Sequence, residues 1–344
     1  MKINSQLFGK THQCEAVQLF TLENDRNLTI KISNYGATIS SIICPDKNGK
    51  LADVALGYDT FQQYLDNQPY MGVTCGRYAN RIANGEFVVD NKKYKLAINN
   101  GPNALHGGIK GFDKVVWHAV PFDNNEEVGV KLVYMCKDGE EGYPGNLVVE
   151  VIISINNLNE INICYTAETD APTVLNLTNH SYFNLNGGKD TVLNHEMLIN
   201  ADRYTEVNSV SIPTGKLLEV KNTAFDFLKT KKIGLDIEKA GDYDHNFVLN
   251  KSTGDELSFA GIVYEAESGR YMEAYTTEPG MQFYTGNYLG GTKGKNGLEY
   301  KKYSGFCWEM QHYPDSPNQN HFPSTELNPG EHYTQLTIYK FGVK

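Results

Sequence analysis

"LVVEVIISINNLNEINICYTAE" runs from Leu147 to Glu168. Val149, Val151, Ile153 and Ile155 recur at every second residue, so an extended chain puts them on one face. "NNLN" breaks the run. Ile161, Ile163 and Tyr165 then resume the same spacing, with Asn162, Cys164 and Thr166 opposite. A helix, with a period of 3.6, would scatter these side chains around its axis. Two alternating runs joined by an asparagine-rich loop predict an antiparallel hairpin with one face in the core.

The same signal recurs outward from this hairpin. "GEFVVDNKKYKLAIN" holds Asp90 and Asn91 between two short runs, and both residues tolerate the positive φ angles of a tight turn. "LTIKISNYGATISSIIC" and the terminal "YTQLTIYKF" add β-branched and aromatic runs. Helical signals are weak. "YDTFQQYL" predicts one or two turns with Asp59 or Thr60 at the N-cap, and "KKIGLDIEKA" is a second short candidate. No regular alternation of strands with helices supports a doubly wound or barrel α/β fold. No repeat or Pro/Gly/Ser linker divides the chain. The expectation is all-β: one large antiparallel β-sandwich domain over residues 1–344, with long loops and few short helices.

Composition narrows the function. The 344 residues are 40% hydrophobic and 21% charged, which suits a folded globular chain. The formal net charge of −10 opposes nucleic-acid binding, which needs a basic surface for phosphates. "KTKK" and "YKKY" are short and read as solvated loops or strand edges. The six cysteines form no C-x-x-C pair and read as small buried residues in a reducing compartment. No apolar run suits a signal peptide or a membrane span, so a cytoplasmic protein is expected.

Five polar clusters between strands carry side chains able to do chemistry. They hold Asn80 and Arg81, His106 before two glycines, His180 in "NLTNHSYFNLNGG", Asp244 in "GDYDHNF", and Glu309 in "FCWEMQHYPDSPNQNHFPS". Each has a plain structural reading. His106 would be a turn histidine, Asp244 a turn-forming aspartate and Arg81 half of a surface ion pair. Glu309 is harder to explain so. It stands among Phe306, Trp308 and Met310, and a carboxylate beside apolar neighbours is costly unless it is paired or its pKa rises. No H-E-x-x-H, G-x-S-x-G, P-loop or dinucleotide fingerprint is present, which argues against a metal, a serine nucleophile or a nucleotide cofactor. Carboxylate, amide and guanidinium groups near aromatics suit the hydroxyls and C–H faces of a sugar. One histidine and one glutamate add an acid and a base.

At this point the motifs identify a resemblance. "GRYANRIANGEF", "NALHGG", "DGEEGYPGNL", "NLTNHSYFNLNGG", "FDFLKTKKIG", "YDHNF", "EPGMQFYTGN" and "GFCWEMQHYPDSPNQNHFPS" resemble, in order, those of the aldose 1-epimerases, also called galactose mutarotases. The resemblance covers the chain from about residue 35 onward. It implies a galactose mutarotase-like supersandwich, no cofactor or metal, and interconversion of the α and β anomers of free aldohexoses such as galactose and glucose. It places the family's acid on His180, its base on Glu309, and its second active-site histidine on His106. Asn80, Arg81, Asp244 and Gln282 match the sugar-binding groups.

Ring opening needs one proton taken from the C1 hydroxyl and one given to the ring oxygen, which suits a carboxylate and an imidazolium. His180 and Glu309 are therefore expected to face each other across one pocket, about a sugar ring apart. Three other readings use the same residues: a hexose 6-phosphate 1-epimerase, a non-catalytic sugar-binding protein, and a glycosidase with Asp244 and Glu309 as its carboxylates.

Overall fold

In the computed structural model, which describes residues 1–66, 69–252, 254 and 256–344, the Leu147–Glu168 hairpin lies inside the largest sheet, as its third and fourth strands. Its strands are Leu147–Asn156 and Glu160–Thr169, paired with Val151 opposite Tyr165 and Ile155 opposite Ile161. The seven alternating residues that predict the hairpin are all buried. Asn156 Oδ1 accepts the amides of Leu158 and Glu160, and Asn159 takes φ 60°, so the asparagines build the turn.

Nine strands form this sheet, in the order 118–123, 127–136, 147–156, 160–169, 333–343, 270–276, 258–264, 196–199 and 231–232. A six-stranded sheet runs 182–183, 306–311, 280–284, 244–248, 203–207 and 213–219. A five-stranded sheet takes up residues 2–53 in simple meander order. Every described ladder is antiparallel. One core joins all three sheets: Ile30 and Ile42 from the first, Val151 and Ile163 from the nine-stranded, and Phe247, Phe283 and Trp308 from the six-stranded. The β-sandwich expectation holds. The Asp90–Asn91 turn also forms, with φ 48° and 58°, but its hairpin pairs only with itself.

The helices are as short as expected. One spans Phe61–Asp66, where Gln63 Oε1 accepts both the amide and the hydroxyl of Thr60, the residue just before it. The second candidate splits. Lys231–Lys232 joins the edge of the nine-stranded sheet, Ile233–Leu235 forms one 3₁₀ turn, and only Ile237–Ala240 is α-helical. Asp236 could have capped it, but its carboxylate is held by Lys231 and Lys239. No helix among the described residues is long and apolar enough to cross a membrane.

The six-stranded sheet positions the site through its period of two. Phe283, Met281, Trp308 and Met310 turn to the shared core. Gln282, Tyr284, Cys307 and Glu309 turn to the other face, with Gln282 opposite Glu309 and Asp244, Tyr284 and Cys307 in one row. The apolar sequence neighbours of Glu309 therefore point away from it. Tyr182, Tyr284, Cys307 and other residues form a separate apolar cluster on the site's side.

Candidate active site

Over that second face lies a pocket of about 200 Å³ lined by Asn80, Arg81, His106, His180, Asp244 and Glu309, together with Tyr70, Asn100, Tyr182 and Tyr284. Six of the seven side chains expected from sequence thus share one cavity. The seventh, Gln282, is buried beneath it and donates Nε2 to Asp244 Oδ1 at 2.6 Å. Residues the sequence reading missed include Tyr182, two positions from His180, and Tyr284, two from Gln282. Strand alternation was the signal that could have placed Tyr284, which shares a strand with Gln282; His180 lies outside any strand, so no such signal placed Tyr182.

His180 is fixed by its backbone, which donates to Val73 O and accepts from Gly72 N, both at 2.9 Å. Its Nε2 lies 3.6 Å from Glu309 Oε1. This corrects the expected separation of a sugar ring. The reason is structural: the His180 backbone is tied to Gly72 and Val73, and Glu309 projects from the pocket face of its strand, so the two side chains meet at one wall of the pocket.

His106 is placed by backbone. Its amide donates to Asn80 O at 3.0 Å, and Asn80 N–H donates to its Nδ1 at 3.1 Å. Both residues have positive φ, 50° at His106 and 61° at Asn80. Asn80 Oδ1 turns back to the Arg81 amide at 2.9 Å. The following loop is held by Glu141, whose carboxylate accepts the amides of Ile109 and Lys110. This gives Glu141 of "DGEEGYPGNL" a structural task.

Arg81 reaches Asp244 Oδ2 at 3.3 Å and donates Nε to Asn100 Oδ1 at 3.0 Å. Asp315, from the loop after Glu309, accepts the Ala83 amide and donates its own to Arg81 O, so "YPDSPNQ" braces the arginine segment. His312 and His321, which flank that loop, take different partners: Glu278 for His312 and the Gly215 carbonyl for His321.

Burial dominates the electrostatics. It pushes the Glu309 carboxyl well above its ordinary value, Asp244 adds to the shift, and Arg81 opposes it. Glu309 Oε2 is buried and has no hydrogen-bond partner in the protein. Burial also lowers His180 to about 4 against weaker opposition from a backbone hydrogen bond and Asp244. His106 is held well below the usual histidine range by burial first, then by His180, Arg81 and Lys114. Burial thus works against the charged form of all three groups.

His106, His180 and Glu309 offer ligand atoms within 4.8 Å of one another, a spacing that would suit a metal ion. The donor chemistry does not fit. Because Asn80 N–H occupies Nδ1 of His106, that ring carries its proton on Nε2, the nitrogen a metal would need bare. The trio reads as a set of proton donors and acceptors.

The sequence matches the aldose 1-epimerase family over residues 18–340. It is 48% identical to the galactose mutarotase of Bos taurus over 331 residues, 95% of this chain and 94% of that one. Against the human galactose mutarotase it is 46% identical with the same coverage, and against the Escherichia coli aldose 1-epimerase 38% identical, covering 94% and 95%. Among solved structures, an aldose epimerase homologue from C. elegans superposes with a TM-score of 0.88 at 35% identity, covering 94% of this chain and 98% of that one. A galactose 1-epimerase from Lactobacillus acidophilus gives 0.87 at 28%, covering 99% of each. A β-sandwich with this pocket and matches that run nearly end to end make the chain a member of the aldose 1-epimerase family.

Proposed function

We propose that this protein interconverts the α and β anomers of free aldohexoses, galactose and glucose among them, with Glu309 as base and His180 as acid. The observation that carries the reading is the 3.6 Å approach of His180 Nε2 to Glu309 Oε1 at one pocket wall. Too long for a direct hydrogen bond, this spacing suits two groups that reach two oxygens on one carbon. Glu309 takes the O1 proton, C1–O1 becomes a carbonyl, and the C1–O5 bond breaks. His180 gives its proton to O5. The aldehyde turns about C1–C2, and both transfers reverse as the ring closes from the other face. Arg81, Asp244 and Asn80 hold the remaining hydroxyls and His106 donates Nε2–H near the ring oxygen. Gln282 acts through Asp244.

The charged and uncharged forms of the pair contain the same number of protons. The ring sugar favours the charged form, since O1–H can donate to a carboxylate and O5 accept from an imidazolium. The uncharged form accompanies the open-chain aldehyde. A second proton on the pair abolishes the base. The acid limb of kcat/KM should therefore follow His180 to about 4, not the usual 6.5. Polarimetric rates between pH 3.5 and 7 check this, and an acid limb near 6.5 contradicts it.

A hexose 6-phosphate is a poorer fit. Among the described residues Arg81 is the one Lys or Arg lining the pocket, and Asp244 and Asn100 already engage it. Anomerisation of glucose should be accelerated, and that of glucose 6-phosphate should not. The reverse preference would overturn the free-sugar reading. Release of nitrophenol from a nitrophenyl galactoside would favour a glycosidase, whereas none is expected. Residues 1–344 are read as one domain because a single core unites strands from both ends of the chain. All six cysteines are free, which supports a reducing, cytoplasmic setting.

A further inference from the structure

The two pocket histidines are wired differently at Nδ1. In His106 that atom accepts the Asn80 N–H, so neutral His106 is an Nε2–H donor. In His180, Cys307 Sγ lies 3.6 Å from Nδ1 and Nε2 faces Glu309, and the ring also has a backbone hydrogen bond. Cys307 and Glu309 lie two residues apart on one strand and on the same face, so alternation alone sets one group against each nitrogen of the ring. Cys307 is fully buried, and burial, with Glu309 next, raises its thiol well above the usual value, so it stays uncharged. Tyr70, Tyr182, Tyr284 and His106 surround the His180 ring through ring contacts.

An acid that protonates O5 through Nε2 must keep a proton on Nδ1 after the transfer. We propose that Cys307 is a positioning residue whose sulfur accepts the Nδ1–H of His180, making Nε2 the nitrogen that gives and takes the proton. The inference rests on the acid role assigned to His180 above. A thiol suits this task in a way a carboxylate would not. As a weak, neutral acceptor it orients the ring without stabilising the imidazolium, and its own S–H would meet Nδ1 only in the opposite tautomer, which the ¹⁵N spectrum of the ring distinguishes. His180 thereby remains a strong acid while it is held in place. His106, with the opposite tautomer, donates a hydrogen bond but is not set up to accept a proton at Nε2.

Long-range ¹⁵N–¹H correlation of the histidine rings in the full-length protein at pH 7 tests the wiring directly. Expected are the Nδ1–H tautomer for His180 and the Nε2–H tautomer for His106. In Cys307→Ala, His180 should become a tautomer mixture, and kcat should fall about tenfold with KM nearly unchanged. Cys307→Ser, which retains an acceptor, should restore the wild-type tautomer and most of kcat. The Nε2–H tautomer for His180 in the wild type overturns the proposal. So does a Cys307→Ala protein with wild-type kcat and an unchanged His180 tautomer. Wild-type kcat in His180→Asn removes the acid role, and with it the catalytic consequence of the bond, independently of what the wild-type spectrum reports.

Discussion

Glu309→Gln is expected to lower kcat for galactose anomerisation by about 10²–10⁴-fold with little change in KM, and at the same time to stabilise the fold. The first effect follows because glutamine occupies the same space but cannot take the O1 proton. The second follows from burial. Glu309 is 2% exposed, and its carboxyl is held well above 4.5 in the folded chain. Above pH 4.5 the folded state therefore binds more protons than the unfolded state, and stability falls as pH rises toward the folded value. Each pH unit costs roughly a kcal/mol while that difference lasts. Glutamine does not titrate, so the variant's advantage should grow from pH 5 to pH 8. Urea melts at the two pH values measure it. A variant less stable than the wild type at pH 8 would show that Glu309 is not a burdened carboxyl.

Gly107→Ala should destabilise the protein by about 3 kcal/mol or more and displace His106. Gly107 has φ +89°, and a Cβ there would lie 1.9 Å from Gly76 O, 2.4 Å from Gly76 C and 2.7 Å from Arg77 N. All three atoms are backbone, so no side chain can swing aside. Nor can that backbone retreat easily. The Arg77 side chain is buried and donates to Pro144 O at 2.6 Å and Gly145 O at 3.1 Å, while the Phe112 amide donates to Gly76 O at 3.0 Å. Since Gly107 follows His106 directly, relief of the clash must move the histidine. Denaturant melts give the stability loss, and kcat/KM should fall with it. Melts within about 1 kcal/mol of the wild type would contradict the close approach.

The fold was legible wherever one strand face is buried and the other is not. From Val149 to Tyr165 the alternation gives strand, turn and register together. It was less legible at "KKIGLDIEKA", where helix propensity loses to sheet pairing at Lys231 and to the ion pairs that occupy Asp236. Glu309 shows the same logic within the site. Its sequence neighbours Trp308 and Met310 suggested an apolar setting, yet in the strand they face the core. The raised carboxyl comes first from burial and then from Asp244, on another strand of the sheet. Tyr70 and Asn100 escaped notice because no local pattern ties them to the pocket. The spacing of His180 and Glu309 is not legible because it depends on how two distant segments pack, which no local pattern encodes.

This chain should open and reclose a free sugar ring. Optical rotation of freshly dissolved α-D-galactose, followed with and without the wild-type protein, tests it most directly. The predicted result is a first-order approach to the same final rotation, with a rate proportional to protein concentration. A rate equal to that of buffer alone would contradict it.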